Sequence, residues 1–265
     1  MTSSSDDSWP PSALDDLPTA LLVQEILIAL APVLWTLVID MPLRTLYPEQ
    51  DHQGIRKILR RGFEALVNLE DFVSVQDELY LATEERIPSA EPEVWATCWP
   101  KLRRLAIYNP DLDSHSGIWG NMAWVPDLEM AIFTRADPGN DLAQINLKQE
   151  WLDAVAFHEK QTGPSSPPRY ELPRKLALAF VDCSPGLPGF ASLRPLWQDV
   201  DPENRIRVLT VGISPPSSEE GYEGSVSDWP VGPRELCQSW IKRQALNGEL
   251  WEEARRGYDC CLWKD

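Results

Sequence analysis

Apolar positions 20–31 make the longest hydrophobic run of the chain, closed off by Pro18 and Pro32 and interrupted at Gln24 and Glu25. Asp16 ahead of Leu17-Pro18 supplies an N-cap and a first-turn proline, so the pattern predicts a helix to about Leu30. Its apolar residues Leu21, Leu22, Ile26, Leu27 and Leu30 cover most of the circumference, so this helix must lie against something.

The chain then alternates. Leu37-Val38-Ile39 reads as a short strand, and Ile55, Ile58, Leu59, Phe63 and Leu66 fall at helical spacing with Arg56, Lys57, Arg60 and Arg61 on the other face. Strand character returns at Phe72–Val75, near Leu105 and Ile107, at Met130–Phe133, through "LALAFV" and near Ile206–Val211. Between these lie short helices at Val94–Trp99 and Ile118–Trp124, and a longer one marked by Leu147, Trp151 and Val155. Leu236, Trp240, Leu250, Trp251 and Ala254 predict a closing helix, and 160–173, 184–203 and 214–233 read as long Pro/Gly/Ser-rich loops.

The approach to three strands recurs. "VNLEDFVSV", "WPKLRRLAIYN" and "VPDLEMAIF" each carry a turn residue, then Leu69, Leu102 or Leu128, then a strand core at Phe72, Leu105 or Ala131. The leucines are 33 and 26 residues apart, a period at which a helix-plus-strand unit buries its apolar face only by stacking on its neighbours. The expected fold is therefore α/β, an irregular leucine-rich-repeat-like solenoid with an N-terminal capping helix. The competing expectation is a single α/β sheet with irregular insertions. Residues 1–14, polar and Pro-broken, read as a disordered leader, 15–31 as the capping helix and 32–265 as the α/β domain.

Charge narrows the function. With 24 basic against 41 acidic side chains the net charge is −17, which repels phosphate backbones and anionic lipid, so nucleic acid and membrane are not expected partners. The apolar run is too short and too polar to span a bilayer, and four aspartates precede it where a signal peptide needs basic residues. Five cysteines without CxxC spacing fit a reduced thiol set, so a cytoplasmic or nuclear location is expected.

"DDLPTALLVQEIL" resembles the opening of F-box proteins, and "VLWTLVIDMPLRTLYPEQ" through "WPKLRRLAIYNPDL" and "LEMAIFTRAD" resembles the repeat region of a large group of fungal F-box-like proteins. The resemblance spans about residues 15–155. It implies a substrate-recognition subunit of a cullin-based ubiquitin ligase, with two partners: the ligase adaptor protein and a protein target. Carried over by position, the adaptor contacts fall on Leu17, Pro18, Leu21, Leu22, Ile26 and Leu27. The chain departs from the family in two ways. The second and third F-box helices have no counterpart, and one extra residue between Leu22 and the Ile26-Leu27 pair turns the two halves of the helix about 100° apart.

Chemistry is sparse: GxSxG, GxGxxG, Walker-type and HExxH patterns are all absent, so no catalytic residue, metal or cofactor is assigned. The best polar constellation is "NPDLDSHSGIWG", where Asp111, Asp113 and His115 alternate past a strand end and fall on one side of an extended segment. Such a trio suits acid–base or metal chemistry, whereas an Asp/Ser/Gly loop capping the next helix is the commoner use of these residues. Twelve tryptophans, among them Trp95, Trp99, Trp119 and Trp124, read chiefly as filling between helices and strands. The alternative function is accordingly an enzyme or accessory protein of specialised metabolism, with a Trp-lined pocket beside the Asp111 loop.

Overall fold

The computed structural model describes residues 14, 16–42, 48–83, 91–112, 117–136, 145–162, 175–183, 190–213 and 232–260. Seven strands form one sheet: β1 (Thr36–Ile39), β2 (Asp71–Ser74), β3 (Arg104–Tyr108), β4 (Met130–Thr134), β5 (Leu176–Asp182), β6 (Ile206–Gly212) and β7 (Tyr258–Asp259). They lie in the order of the sequence; β1 to β6 run parallel and β7 closes antiparallel against β6. The expected α/β class therefore holds.

Register explains the recurring leucines. Phe72 pairs with Leu105, Leu105 with Ala131, Ala131 with Leu178 and Leu178 with Val208, so the anticipated strand cores form one row across the sheet. Leu69, Leu102 and Leu128 are all buried beneath that row. Glu70 N donates to Trp35 O, Arg103 N to Glu70 O and Glu129 N to Arg103 O, which locks the approach segments in step.

Helices α1 (Leu17–Leu30), α2 (Ile55–Glu64), α3 (Val94–Thr97), α4 (Ile118–Trp124), α5 (Leu147–Thr162) and α6 (Phe190–Val200) alternate with these strands, and their apolar residues share one core with the row of strand residues. Aromatic rings dominate it. The Phe72 and Trp99 centroids are 4.9 Å apart, Phe63 meets Phe72 edge-on, and Trp99 Nε1 donates to Phe63 O at 2.7 Å.

The opposite face is covered as well. The closing helix of the sequence reading is two helices, α7 (Pro233–Leu246) and α8 (Leu250–Arg255), broken where Gly248 takes φ +75 and ends α7 as a C-terminal glycine does. Cys237, Ile241, Leu250, Trp251 and Ala254 pack there against Val73, Ala106, Ile132, Ala179 and Leu209. The expected loop at 184–203 is also corrected: α6 occupies its second half despite Pro195 inside the helix.

Two expectations about side chains change. Arg56 and Arg60, anticipated on the face of the helix opposite its apolar one, are buried too, because residues 80–82 lie across α2 and offer carbonyls. Arg56 Nη2 donates to Tyr80 O at 2.9 Å and Arg60 Nη1 to Leu81 O, which satisfies guanidinium groups that burial would otherwise leave unpaired. Trp95, Trp99 and Trp119 are core residues as anticipated, whereas Trp124 is exposed. Among the described residues no helix is long and apolar enough to cross a membrane.

Candidate functional site

The sequence makes α1 apolar on every side, and the fold buries only one of them. Asp16 caps the helix, its Oδ2 accepting from Thr19 N at 2.8 Å. Ala20, Leu27 and Ala31 turn inward onto α2, where Gly62 permits the approach: a Cβ there would stand 3.1 Å from Gln24 Cα and 3.1 Å from a Leu27 methyl. The outward side keeps Leu21, Leu22, Ile26, Ile28 and Leu30 in solvent, and past the helix end Val33 and Trp35 are 72% and 62% exposed. Leu22, Ile26 and Ala29 stand at i, i+4 and i+7, a single stripe. Five large apolar side chains on α1 and two just past its end are thus exposed together, the concentration of apolar surface that marks interaction sites.

Of the six adaptor positions carried over from the F-box resemblance, Leu21, Leu22 and Ile26 lie on this patch and Pro18 is exposed at its start. Leu17 is half-buried, and Leu27 is 5% exposed against α2 and belongs to the packing side. The extra residue that separates Leu22 from the Ile-Leu pair thus leaves Ile26 beside Leu22 and turns Leu27 inward. The chain then enters β1, which among the described residues pairs with β2 alone.

A second constellation sits where the strands end, assembled from residues too far apart along the chain to be read together. Asn109 and Arg135, the residues immediately after β3 and β4, both take left-handed backbone, φ 53 and φ 48, which a bulky side chain adopts at a cost of about 1 kcal/mol. Arg135 Nε lies 4.0 Å from Asp182 Oδ1. Cys183 N donates to that same oxygen at 2.6 Å, and Cys183 Sγ is 3.3 Å from Cys237 Sγ on α7. Burial pushes the Tyr108 hydroxyl above its usual range, with the Arg135 and Arg234 charges pulling the other way. Burial likewise raises both thiols, and the neighbouring sulfur raises Cys237 further. Of the Asp111 trio, Asp111 is exposed next to this edge, whereas Asp113 and His115 lie outside the described residues.

At the other edge, where strands begin, a groove of about 940 Å³ is lined by Lys101, Arg103, Lys175, Arg205, Arg207 and carboxylates that include Glu70 and Glu129. Two of its cations are engaged: Arg103 Nε donates to Glu129 at 3.0 Å and Arg207 Nε to Asp259 at 2.9 Å. No tryptophan lines it, so it lends nothing to a Trp-lined pocket. No protein-family model, curated protein or solved structure matches the chain.

Proposed function

We propose that this protein is a non-catalytic interaction module, a degenerate F-box-like substrate-recognition subunit of a cullin-based ubiquitin ligase carried on a leucine-rich-repeat-like solenoid. The observation that carries the reading is the outward stripe of α1, Leu22 and Ile26 with Leu21 beside them, left in solvent at the free end of the sheet. An apolar helix face of this kind is a helix-in-groove ligand, and its leucine and isoleucine side chains are the anchors. The solenoid reading draws its support from sequential parallel strands, each preceded by a helix that packs in the same row.

Target recruitment falls away from the sheet faces, since α1–α6 occupy one and α7–α8 the other. It falls to the edge where strands end. The described residues that follow the parallel strands, among them Val75, Asn109, Arg135, Cys183 and Ile213, lie there.

A pull-down of the full chain with the purified ligase adaptor tests the reading. Retention is expected and drops at least about 10-fold on Leu22→Asp or Ile26→Asp, as for loss of a buried anchor. It is unaffected by Phe157→Asp, which alters an exposed aromatic on α5. A chain that the adaptor does not retain at micromolar concentration removes the proposal.

A further inference from the structure

We propose that Cys183 and Cys237 are a dithiol that closes into a disulfide, fastening α7 covalently to the end of β5. The two sulfurs are 3.3 Å apart, inside their van der Waals contact and roughly 1.3 Å beyond bonding distance. Cys183 follows the last residue of β5 and Cys237 lies in the second turn of α7. The bond therefore adds a covalent link between two layers that otherwise meet through the packing of Ile241, Leu250, Trp251 and Ala254 and the exposed Lys242–Asp40 ion pair at 2.6 Å. Both thiols are buried, 4% and 0% exposed, and neither touches the α1 patch, so the latch is independent of the docking proposal.

Closure takes a low-molecular-weight disulfide such as glutathione disulfide as its oxidant. Cys183, at the rim of the layer, attacks one sulfur and releases the first glutathione as a thiol. Cys237 then attacks the mixed disulfide at the Cys183 sulfur and releases the second. One S–S bond breaks, one forms, and the two cysteine protons end on two glutathione thiols. Because burial holds both thiols protonated, exchange is slow at neutral pH and accelerates as pH rises.

The same sulfurs and an Asp182 carboxylate oxygen lie within 4.8 Å of one another, a spacing that also suits a metal ion. Against this, the Arg135 guanidinium flanks that carboxylate, and three donors leave a tetrahedral ion short of a ligand. The crosslink is the reading the geometry favours.

The full chain is equilibrated at pH 8 across a range of reduced-to-oxidised glutathione ratios, quenched in acid, unfolded, alkylated and digested. The expected product is a Cys183–Cys237 peptide pair lighter by two hydrogens than the dithiol, and the oxidised chain melts about 5–10 °C above the reduced one. That gain is absent from Cys183→Ser and from Cys237→Ala, each compared with itself with and without oxidant, so a change in basal stability does not obscure the result. Recovery of both residues as free thiols or as separate glutathione adducts at every ratio overturns the proposal. So does zinc that stays with the desalted chain at one per molecule and is lost on Cys183→Ser.

Discussion

The two faces of the sheet are built in different ways. On one, the row Leu37, Phe72, Leu105, Ala131, Leu178, Val208 lies under α1–α6, and each of those helices except α5 is joined to the strand that follows it by a short stretch of chain. On the other, the row Val38, Val73, Ala106, Ile132, Ala179, Leu209 is smaller in side-chain volume and is covered by a single helix pair from the end of the chain. The first layer is local and aromatic. The second depends on contacts such as Lys242 with Asp40, 202 residues apart, whose loop-closure entropy is repaid only when the rest of the sheet is in place. Most of the stability therefore resides on the first face, and the second is the layer on which a covalent latch has the most effect.

Trp99→Ala probes the first face at its centre. It removes a fully buried indole, its contact with Phe72 and its hydrogen bond to Phe63 O, and should destabilise the chain by about 4 kcal/mol in urea unfolding. Ile241→Ala is the matching change on the second face, where a buried isoleucine of α7 meets the smaller row. It should cost about 3 kcal/mol. If Ile241→Ala were the costlier of the two, the second layer would be the main source of stability and the comparison would be inverted.

The first face was legible in the sequence because its information is local. Leucine, two spacer residues and a strand core recur within each unit, so Leu69 with Phe72, Leu102 with Leu105 and Leu128 with Ala131 could be read without knowing the fold. The second layer was less visible, although a signal existed. "LALAF" and "MAIF" are apolar at consecutive positions, the mark of strands buried on both faces, whereas an open sheet face would alternate. The helix α6 was hidden by Pro195 and the "SPGLPGF" stretch before it, both of which read as loop. At α1, a helix apolar all round conceals which side packs. Gly62 on α2, against which Gln24 Cα and the Leu27 side chain pack, and the buried Ala20 and Ala31 mark the side on which Leu27 turns in and Leu22 out. Cys183 and Cys237, 54 residues apart without a CxxC motif, carry no pairing information until the layers are assembled.

The two layers also differ in what they titrate: the second holds a thiol pair, and the first holds a carboxyl group with one oxygen enclosed and without a hydrogen-bond partner. Glu93, at the start of α3, keeps its Oε2 out of solvent with no hydrogen-bond partner. Burial, with the Glu78 charge nearby, raises its pKa from 4.5 to about 8, against the pull of Arg60 and Arg56. Folded chain therefore holds this proton up to about pH 8, while unfolded chain releases it above about pH 4.5. In that window the native state binds more protons, so its stability falls as pH rises, the contribution being complete below pH 4.5 and gone above about pH 8. Glu93→Gln, neutral at every pH, removes the dependence. The difference in unfolding free energy between the variant and the parent chain should grow in the variant's favour by about 4 kcal/mol from pH 5 to pH 8.5. Taking the difference cancels every other titrating group common to both chains. A difference that stays flat over that range would mean that water or a rearranged Arg60 solvates the carboxylate, and that the first layer opens more readily than its aromatic packing implies.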